Sequence, residues 1–249
     1  MSEHRESDRA GDVPRERGAK GSAALPSRDA APTFAVVGIG ASAGGLEAFR
    51  SLLGALPPHT GMAYVVIQHL SPEHPTILAK TLTRFTSMPV VEIENETELA
   101  PNRVYVMPSN AEVLLSRGGL RLVPRPPPPG GRLPIDGLFR SLAAGLHSRA
   151  IGVVLSGTGA DGTGGLKEIK AEGGLTFAQT PASAQFSGMP ESASAAGVVD
   201  RVLPPDQIAA ELARLSQHPY VAERPACEGE APQDRDGTIR ITSLIRRSS

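Results

Sequence analysis

Cysteine is almost absent from this chain. Of its 249 residues one is cysteine, Cys227, and it falls in a polar stretch near the C-terminus. That excludes a disulfide framework and leaves no thiol nucleophile within an apolar region. Tryptophan is missing and aromatic residues make up 4% of the chain, so platforms for stacking bases are few. The 25 Lys and Arg residues are balanced by 26 Asp and Glu, a formal net charge of −1, and the cations are scattered along the chain. No basic footprint for nucleic acid results. No apolar run approaches the length of a membrane span, and Met1-Ser2-Glu3-His4-Arg5 lacks the apolar core of a secretion signal. The expectation is a cytoplasmic protein with no nucleic-acid partner and no direct membrane insertion.

Composition divides what is present. Residues 1–32 are rich in charge, Gly, Ser and Ala without apolar periodicity, which predicts a disordered N-terminal tail. Residues 217–249, with Pro, Glu, Asp and Gly clustered in the first two thirds, read as a second tail of low order. Residues 33–216 between them are the stretch able to bury a core, and their length suits one domain.

Within that stretch short apolar runs alternate with amphipathic segments. Strands are expected at Phe34–Ile39, Ala63–Gln68, Val90–Ile93, Val104–Met107, Ile151–Leu155, Leu175–Ala178 and Val198–Leu203. Helices are expected at Leu46–Leu56, Pro75–Phe85, Ile135–Leu146, Leu166–Ala171 and Asp206–Leu215. Ala111–Ser116 and Leu120–Pro124, joined by Arg117-Gly118-Gly119, predict a β-hairpin, and Pro126–Pro129 with Gly130-Gly131 a stiff loop outside the sheet. Strands alternating with helices imply right-handed βαβ units. The expected fold is therefore α/β, doubly wound, with a mainly parallel sheet, helices on both faces and an added antiparallel hairpin.

In such sheets sites form beyond the carboxyl ends of the strands. Three segments carry a reactive side chain there. Gly38-Ile-Gly-Ala-Ser-Ala-Gly-Gly45 places Ser42 in a Gly-x-Ser-x-Gly turn between a buried strand and a helix, the spacing of a nucleophile elbow. Ala63–Gln68 leads into His69, and Ile151–Leu155 opens into a glycine-rich turn that holds Asp161. A hydroxyl, an imidazole and a carboxylate are the parts of a Ser-His-Asp relay. Here the acid comes last in the chain, unlike the Ser…Asp/Glu…His order of α/β-hydrolases.

Each residue also has a structural explanation. Ser42 suits a helix cap, His69 a hydrogen-bonded residue at a strand end, and Asp161 an Asx-type turn. Gly38-x-Gly40-x-x-x-Gly44 loosely matches a dinucleotide fingerprint, but the next strand ends in Gln68-His69 where an acidic residue would hold the ribose. The Gly157–Gly165 turn lacks the Lys-Ser/Thr of a P-loop. His69 and His74 have no neighbouring ligands at zinc spacing, so no metal or cofactor is expected. On these residues alone both the catalytic and the structural readings stay open.

Five segments occur together and in order: Ile39-Gly-Ala-Ser-Ala-Gly-Gly45, Gln68-His69-Leu70, Pro134-Ile135-Asp136, Leu155-Ser-Gly-Thr-Gly-Ala-Asp-Gly162 and Ala178-Gln179…Gly188-Met189-Pro190. Together they resemble the catalytic domain of the chemotaxis receptor methylesterases, the CheB family, over nearly all of Phe34–Leu215. The resemblance implies a doubly wound α/β domain with a β-hairpin. It also implies hydrolysis of glutamyl methyl esters on chemoreceptor signalling helices and, in many members, deamidation of specific glutamines. On the matching positions it makes Ser42 the nucleophile, His69 the base and Asp161 the orienting carboxylate, with oxyanion donors near Ala43 and in the Gly157–Gly159 turn.

Two departures from the family pattern stand out. The residues before the first strand are too few for the phospho-receiver domain that often precedes this module, which disfavours control by phosphorylation in cis. Thr158 also stands where many members have methionine. The wording of the motifs, with His218-Pro219-Tyr220 after the domain, is similar to esterase modules fused ahead of methyltransferase and sensor-kinase modules. The expected partners are thus methylated chemoreceptor helices and a methyltransferase or sensor kinase of the same pathway. The alternatives are a non-catalytic binding or regulatory module of a chemosensory array and an ordinary small-molecule esterase.

Overall fold

Seven strands form one sheet, and every neighbouring pair in it is parallel. The computed structural model describes residues 31–68, 77–109, 111–124 and 133–217. The sheet strands are β1 (Val36–Ala41), β2 (Ala63–Gln68), β3 (Val90–Glu92), β5 (Arg103–Val106), β8 (Ala150–Val154), β9 (Leu175–Gln179) and β10 (Arg201–Leu203), in the order β10-β9-β8-β1-β2-β5-β3. A second sheet of three strands, β4 (Thr97–Glu98), β7 (Gly119–Pro124) and β6 (Ala111–Ser116), is antiparallel and contains the expected hairpin. Strand order proceeds outward from β1 through β2 in one direction and from β8 through β9 in the other. The topological switch point therefore lies between β1 and β8.

The helices divide between the two faces, as two buried clusters show. α1 (Gly45–Ala55), α2 (Leu78–Leu82) and α6 (Pro205–Ser216) pack Phe49, Leu52, Leu82, Ile208 and Leu212 against Val37, Ile39 and Ala41 of β1. On the other face α3 (Pro134–Leu146), α4 (Thr163–Ala171) and α5 (Gly188–Ala195) join the hairpin residues Val113 and Leu120 over Val36, Val65 and Val154. Residues alternate along β1 because a strand's side chains point to opposite faces. On the α3 face β1 presents Gly38 and Gly40. A methyl group on Gly38 would lie 2.8 Å from Phe139, and one on Gly40 would run into Ile135. The absence of side chains there lets α3 lie directly on β1.

The doubly wound architecture and the hairpin are borne out, with corrections in detail. β1 starts later than expected and runs on through Ala41; the glycines that look like a turn are strand residues with a helix over them. Residues 198–200 stand outside β10. The described part of the second helix is shorter than expected, Leu78–Leu82, and residues 75–76 lie outside the described residues. α5 and β4 were not expected. The expectations for residues 1–30, for the 126–131 loop and for residues 218–249 also lie outside the described residues.

Two measurements follow from this packing. Gly40→Ala should destabilise the protein by about 1–3 kcal/mol in urea unfolding, since the new methyl group forces Ile135 and the start of α3 away from the sheet. The second concerns Tyr64 of β2, which is buried and donates a hydrogen bond to Thr60 Oγ1 at 2.7 Å. Burial pushes its phenol up to about 12, against the weaker opposing effect of the Thr60 bond. Between pH ~10 and that value the folded chain keeps a proton that the unfolded chain has lost, so stability falls as pH rises through the window. A series of unfolding curves should show this loss, on the order of 2–3 kcal/mol, and Tyr64→Phe should flatten it.

Candidate active site

Hydrogen bonding between β1 and β8 continues past the ends of both strands. Leu155 N–H donates to Gly40 O at 2.9 Å and Ser42 N–H donates to Ser156 O at 2.9 Å. Ser42 and Ser156 are thereby held side by side at the switch point. The chain then reverses into α1 by a turn in which Gly45 N–H donates to Ser42 O at 3.0 Å. Gly44, at the third position, has φ 72° and ψ 2°, and Ala43 is not among the residues with positive φ. This is a type II turn, which needs a residue tolerant of positive φ at that point.

The structural explanation for Ser42 does not hold. The N-cap residue of α1 is Gly44, and α1 has no side-chain cap bond. Ser42 is half-buried and its hydroxyl makes no hydrogen bond among the described residues. Gly157 closes over it: a methyl group there would stand 3.0 Å from Ser42 Cβ and collide with the Met189 sulfur. The Ala43 and Gly44 N–H groups have no backbone acceptor among the described residues. A helix N-terminus with free donors beside a hydroxyl can stabilise a developing oxyanion.

Asp161 is buried, 3% exposed, and its carboxylate reaches well beyond its own turn. Its Oδ2 accepts the Ile135 N–H at 3.1 Å and its Oδ1 accepts the Asp136 N–H at 3.0 Å. It therefore caps α3 from another part of the chain. Pro134, at the first position of α3, has no N–H to satisfy, and Gly137 N–H donates to Leu133 O at 3.0 Å. The positive end of the α3 dipole favours a carboxylate there.

A second buried carboxylate, Asp136, returns the arrangement. Its Oδ1 accepts the Gly165 N–H in the first turn of α4 at 2.7 Å, and its Oδ2 is 3.6 Å from the half-exposed Arg140 guanidinium. Asp161 thus caps the helix that carries Asp136, and Asp136 caps the helix that Asp161 precedes. β2 ends at Gln68, paired with Ala41. His69, which follows it, lies outside the described residues.

Sequence reasoning assigned no role to several residues that hold this region. Ser156 donates its N–H to Gln179 Oε1 at 2.8 Å and its hydroxyl to Ala43 O at 2.8 Å, and it accepts the Phe186 N–H at 3.0 Å. Gln179 passes the connection on through Nε2 to Ser183 O at 2.9 Å. Asp136 carried a signal, an acid two positions after a proline at a helix start. Ser156 carried none beyond its place in a glycine-rich turn.

An all-parallel doubly wound sheet with a glycine-rich strand-to-helix turn at its switch point defines a class, a doubly wound α/β domain with its candidate site at the carboxyl ends of the strands. Comparison with known proteins is more specific. The model of the CheB methylesterase family matches residues 37–212, and the chain belongs to that family. It is 39% identical over 170 residues to protein-glutamate methylesterase/protein-glutamine glutaminase 3 of Burkholderia lata, covering 67% of this chain and 47% of that protein. A protein of the same designation from Geobacillus kaustophilus is 37% identical over 191 residues, covering 75% and 55%. The chain thus spans about half the length of the curated relatives it matches. The crystal structure of the Thermotoga maritima CheB methylesterase catalytic domain superposes with a TM-score of 0.68 at 29% identity, covering 73% of this chain and 98% of that one. Among the described residues no helix is long and apolar enough to cross a membrane.

The reciprocal caps generate a prediction. Asp136→Ala strands the buried Gly165 N–H, so urea unfolding should show a loss of about 1–3 kcal/mol. Arg140→Ala, which removes only the long contact to a half-exposed guanidinium, should change stability by less than about 1 kcal/mol.

Proposed function

We propose that this domain is a serine-type methylesterase that hydrolyses glutamyl methyl esters on the signalling helices of chemoreceptor-like proteins. The observation that carries the reading is the Ser42 hydroxyl. It is uncapped and half-buried at the switch point, on a turn whose Ala43 and Gly44 N–H groups lack acceptors among the described residues. Membership of the CheB methylesterase family and the names of the relatives support the choice of substrate.

In this reading Ser42 Oγ attacks the ester carbonyl while His69 takes its proton. Asp161, held rigid by two N–H donors at the start of α3, orients the imidazole and stabilises it when charged. The carbonyl oxygen becomes an oxyanion facing the Ala43 N–H, the donor that follows the nucleophile in such elbows. His69 then gives its proton to methanol as the C–O bond breaks. Water, deprotonated by the same imidazole, attacks the glutamyl-enzyme, releasing glutamate and restoring Ser42. The same sequence with ammonia as the leaving group would deamidate a glutamine. The exposed Leu46 and Phe186, 42% and 41% accessible beside the turn, suit the apolar stripe of an amphipathic helix. A cytoplasmic location agrees with such a substrate.

Methanol release from a methylated receptor fragment should fall at least about a thousandfold in Ser42→Ala with the unfolding curve unchanged. A fluorophosphonate should label the native chain at Ser42. A chain that binds the fragment but neither releases methanol nor takes the label is a binding module, and the esterase reading is then wrong.

A further inference from the structure

We propose that Ser156 is a positioning residue for this reaction: its hydroxyl sets which polar group of the Ala43–Gly44 peptide faces the reacting carbonyl. The inference rests on the reading of Ser42 as nucleophile and concerns a residue to which that mechanism gives no part.

Turn types I and II differ by a flip of the central peptide, here the one between Ala43 and Gly44. In a trans peptide the C=O and N–H point in opposite directions. In the type II form the Ala43 carbonyl points at Ser156, whose hydroxyl donates to it at 2.8 Å, and the Gly44 N–H points away from Ser156. Flipping the peptide would turn the Gly44 N–H toward Ser156 and present the Ala43 oxygen on the other side. A carbonyl lone pair would then lie where a developing negative charge needs a donor.

Ser156 has one hydroxyl proton, and its other contacts decide where it goes. The Phe186 N–H donates to Oγ at 3.0 Å, and the Phe186 carbonyl is 3.4 Å away, longer than the bond to Ala43. Oγ thus receives from Phe186 and gives to Ala43. The Ser156 backbone is fixed on both sides, its N–H by Gln179 Oε1 and its C=O by the Ser42 N–H. The hydroxyl is delivered to the turn from a clamped support. The two outer peptides of the turn are held to each other by the Gly45-to-Ser42 bond, which leaves the Ala43–Gly44 peptide as the element that Ser156 alone secures by a side chain among the described residues. Gly44 adds a second constraint, since a methyl group there would lie 2.7 Å from Ser156 Oγ.

The test uses the whole chain, p-nitrophenyl acetate as substrate and an aryl-alkyl trifluoromethyl ketone as reversible mimic of the tetrahedral adduct. Ser156→Ala should lower kcat about ten- to a hundredfold, leave KM within about threefold, and weaken the ketone by the same factor as kcat. Ser156→Thr, which keeps the hydroxyl, should restore both. Ser156→Val, with the same shape as threonine and no hydroxyl, should behave as the alanine variant. If the alanine variant does not fold, the threonine and valine pair carries the comparison. Wild-type kcat and ketone affinity in Ser156→Ala or Ser156→Val overturn the proposal, as does a threonine variant no faster than the valine one. Ser42→Ala separates the two readings: turnover that depends on Ser42 but not on the Ser156 hydroxyl defeats only this proposal. A native chain with Ser42-dependent turnover neither of p-nitrophenyl acetate nor of the methylated receptor fragment defeats both.

Discussion

The pairing of β1 with β8 is the constraint on which the site depends. Parallel strands need long crossovers, so sequence-distant segments reach the same sheet end only if the register is right. Here Gly40 pairs with Val154, and the ladder continues for two more bonds after regular strand geometry has ended. Those two bonds join the Ser42 turn to the Ser156–Asp161 turn as one piece of backbone. A slip of one residue would turn every inward side chain of β1 to the other face and separate Ser42 from Ser156. The buried side chains on both faces of β1 are what prevent that slip, so the core fixes the site's geometry before any polar contact is counted.

Above that ladder the polar arrangement is reciprocal. Asp161 belongs to the turn before α4 and caps α3; Asp136 belongs to α3 and caps α4. Buried carboxylates are costly unless hydrogen-bonded, and here each is satisfied by the other helix's free N–H groups. The two helices are therefore locked in relation to one another and to the end of β8. The glycines of β1 make this possible, because α3 could not reach Asp161 if Gly40 held Ile135 away from the sheet. Gly40 of the Gly-x-Ser-x-Gly motif thus belongs to the strand and serves the approach of α3.

Much of this was legible in the sequence, and the omissions have physical causes. Apolar runs located all seven strands of the main sheet, because buried parallel strands are continuous in hydrophobicity. The glycines of β1 misled about its end, since a glycine under a packed helix and a glycine in a turn look alike in one dimension. α5 was missed because Met189 and Ala193 are its spaced apolar residues, and Met-Pro-Glu-Ser-Ala-Ser-Ala shows little period. β4 is two residues long and exists through its pairing with β7. At the site, Ser42 and Asp161 could be named from local pattern, but the cap that Asp161 provides joins positions far apart in the chain. No local pattern carries that information. Ser156 was hidden for the same reason: its four bonds all go to other segments.

The shape of the site is set mostly by backbone, and this bears on how it can vary. Gly157 lies against Ser42, Gly44 against Ser156 and Gln185, and Gly188 against the Gly157–Gly159 turn, each at distances a methyl group could not occupy without movement. Side chains that ordinarily line a pocket are excluded there, so chemical selectivity close to Ser42 has to come from peptide groups whose directions are fixed by hydrogen bonds. Peptide orientation responds to a bond made or lost more sharply than a side-chain rotamer does, because a flip exchanges a donor for an acceptor at the same point. A site of this kind tolerates change at its exposed rim, at Thr158, Leu46 or Phe186. It is intolerant at the clamped serine beneath.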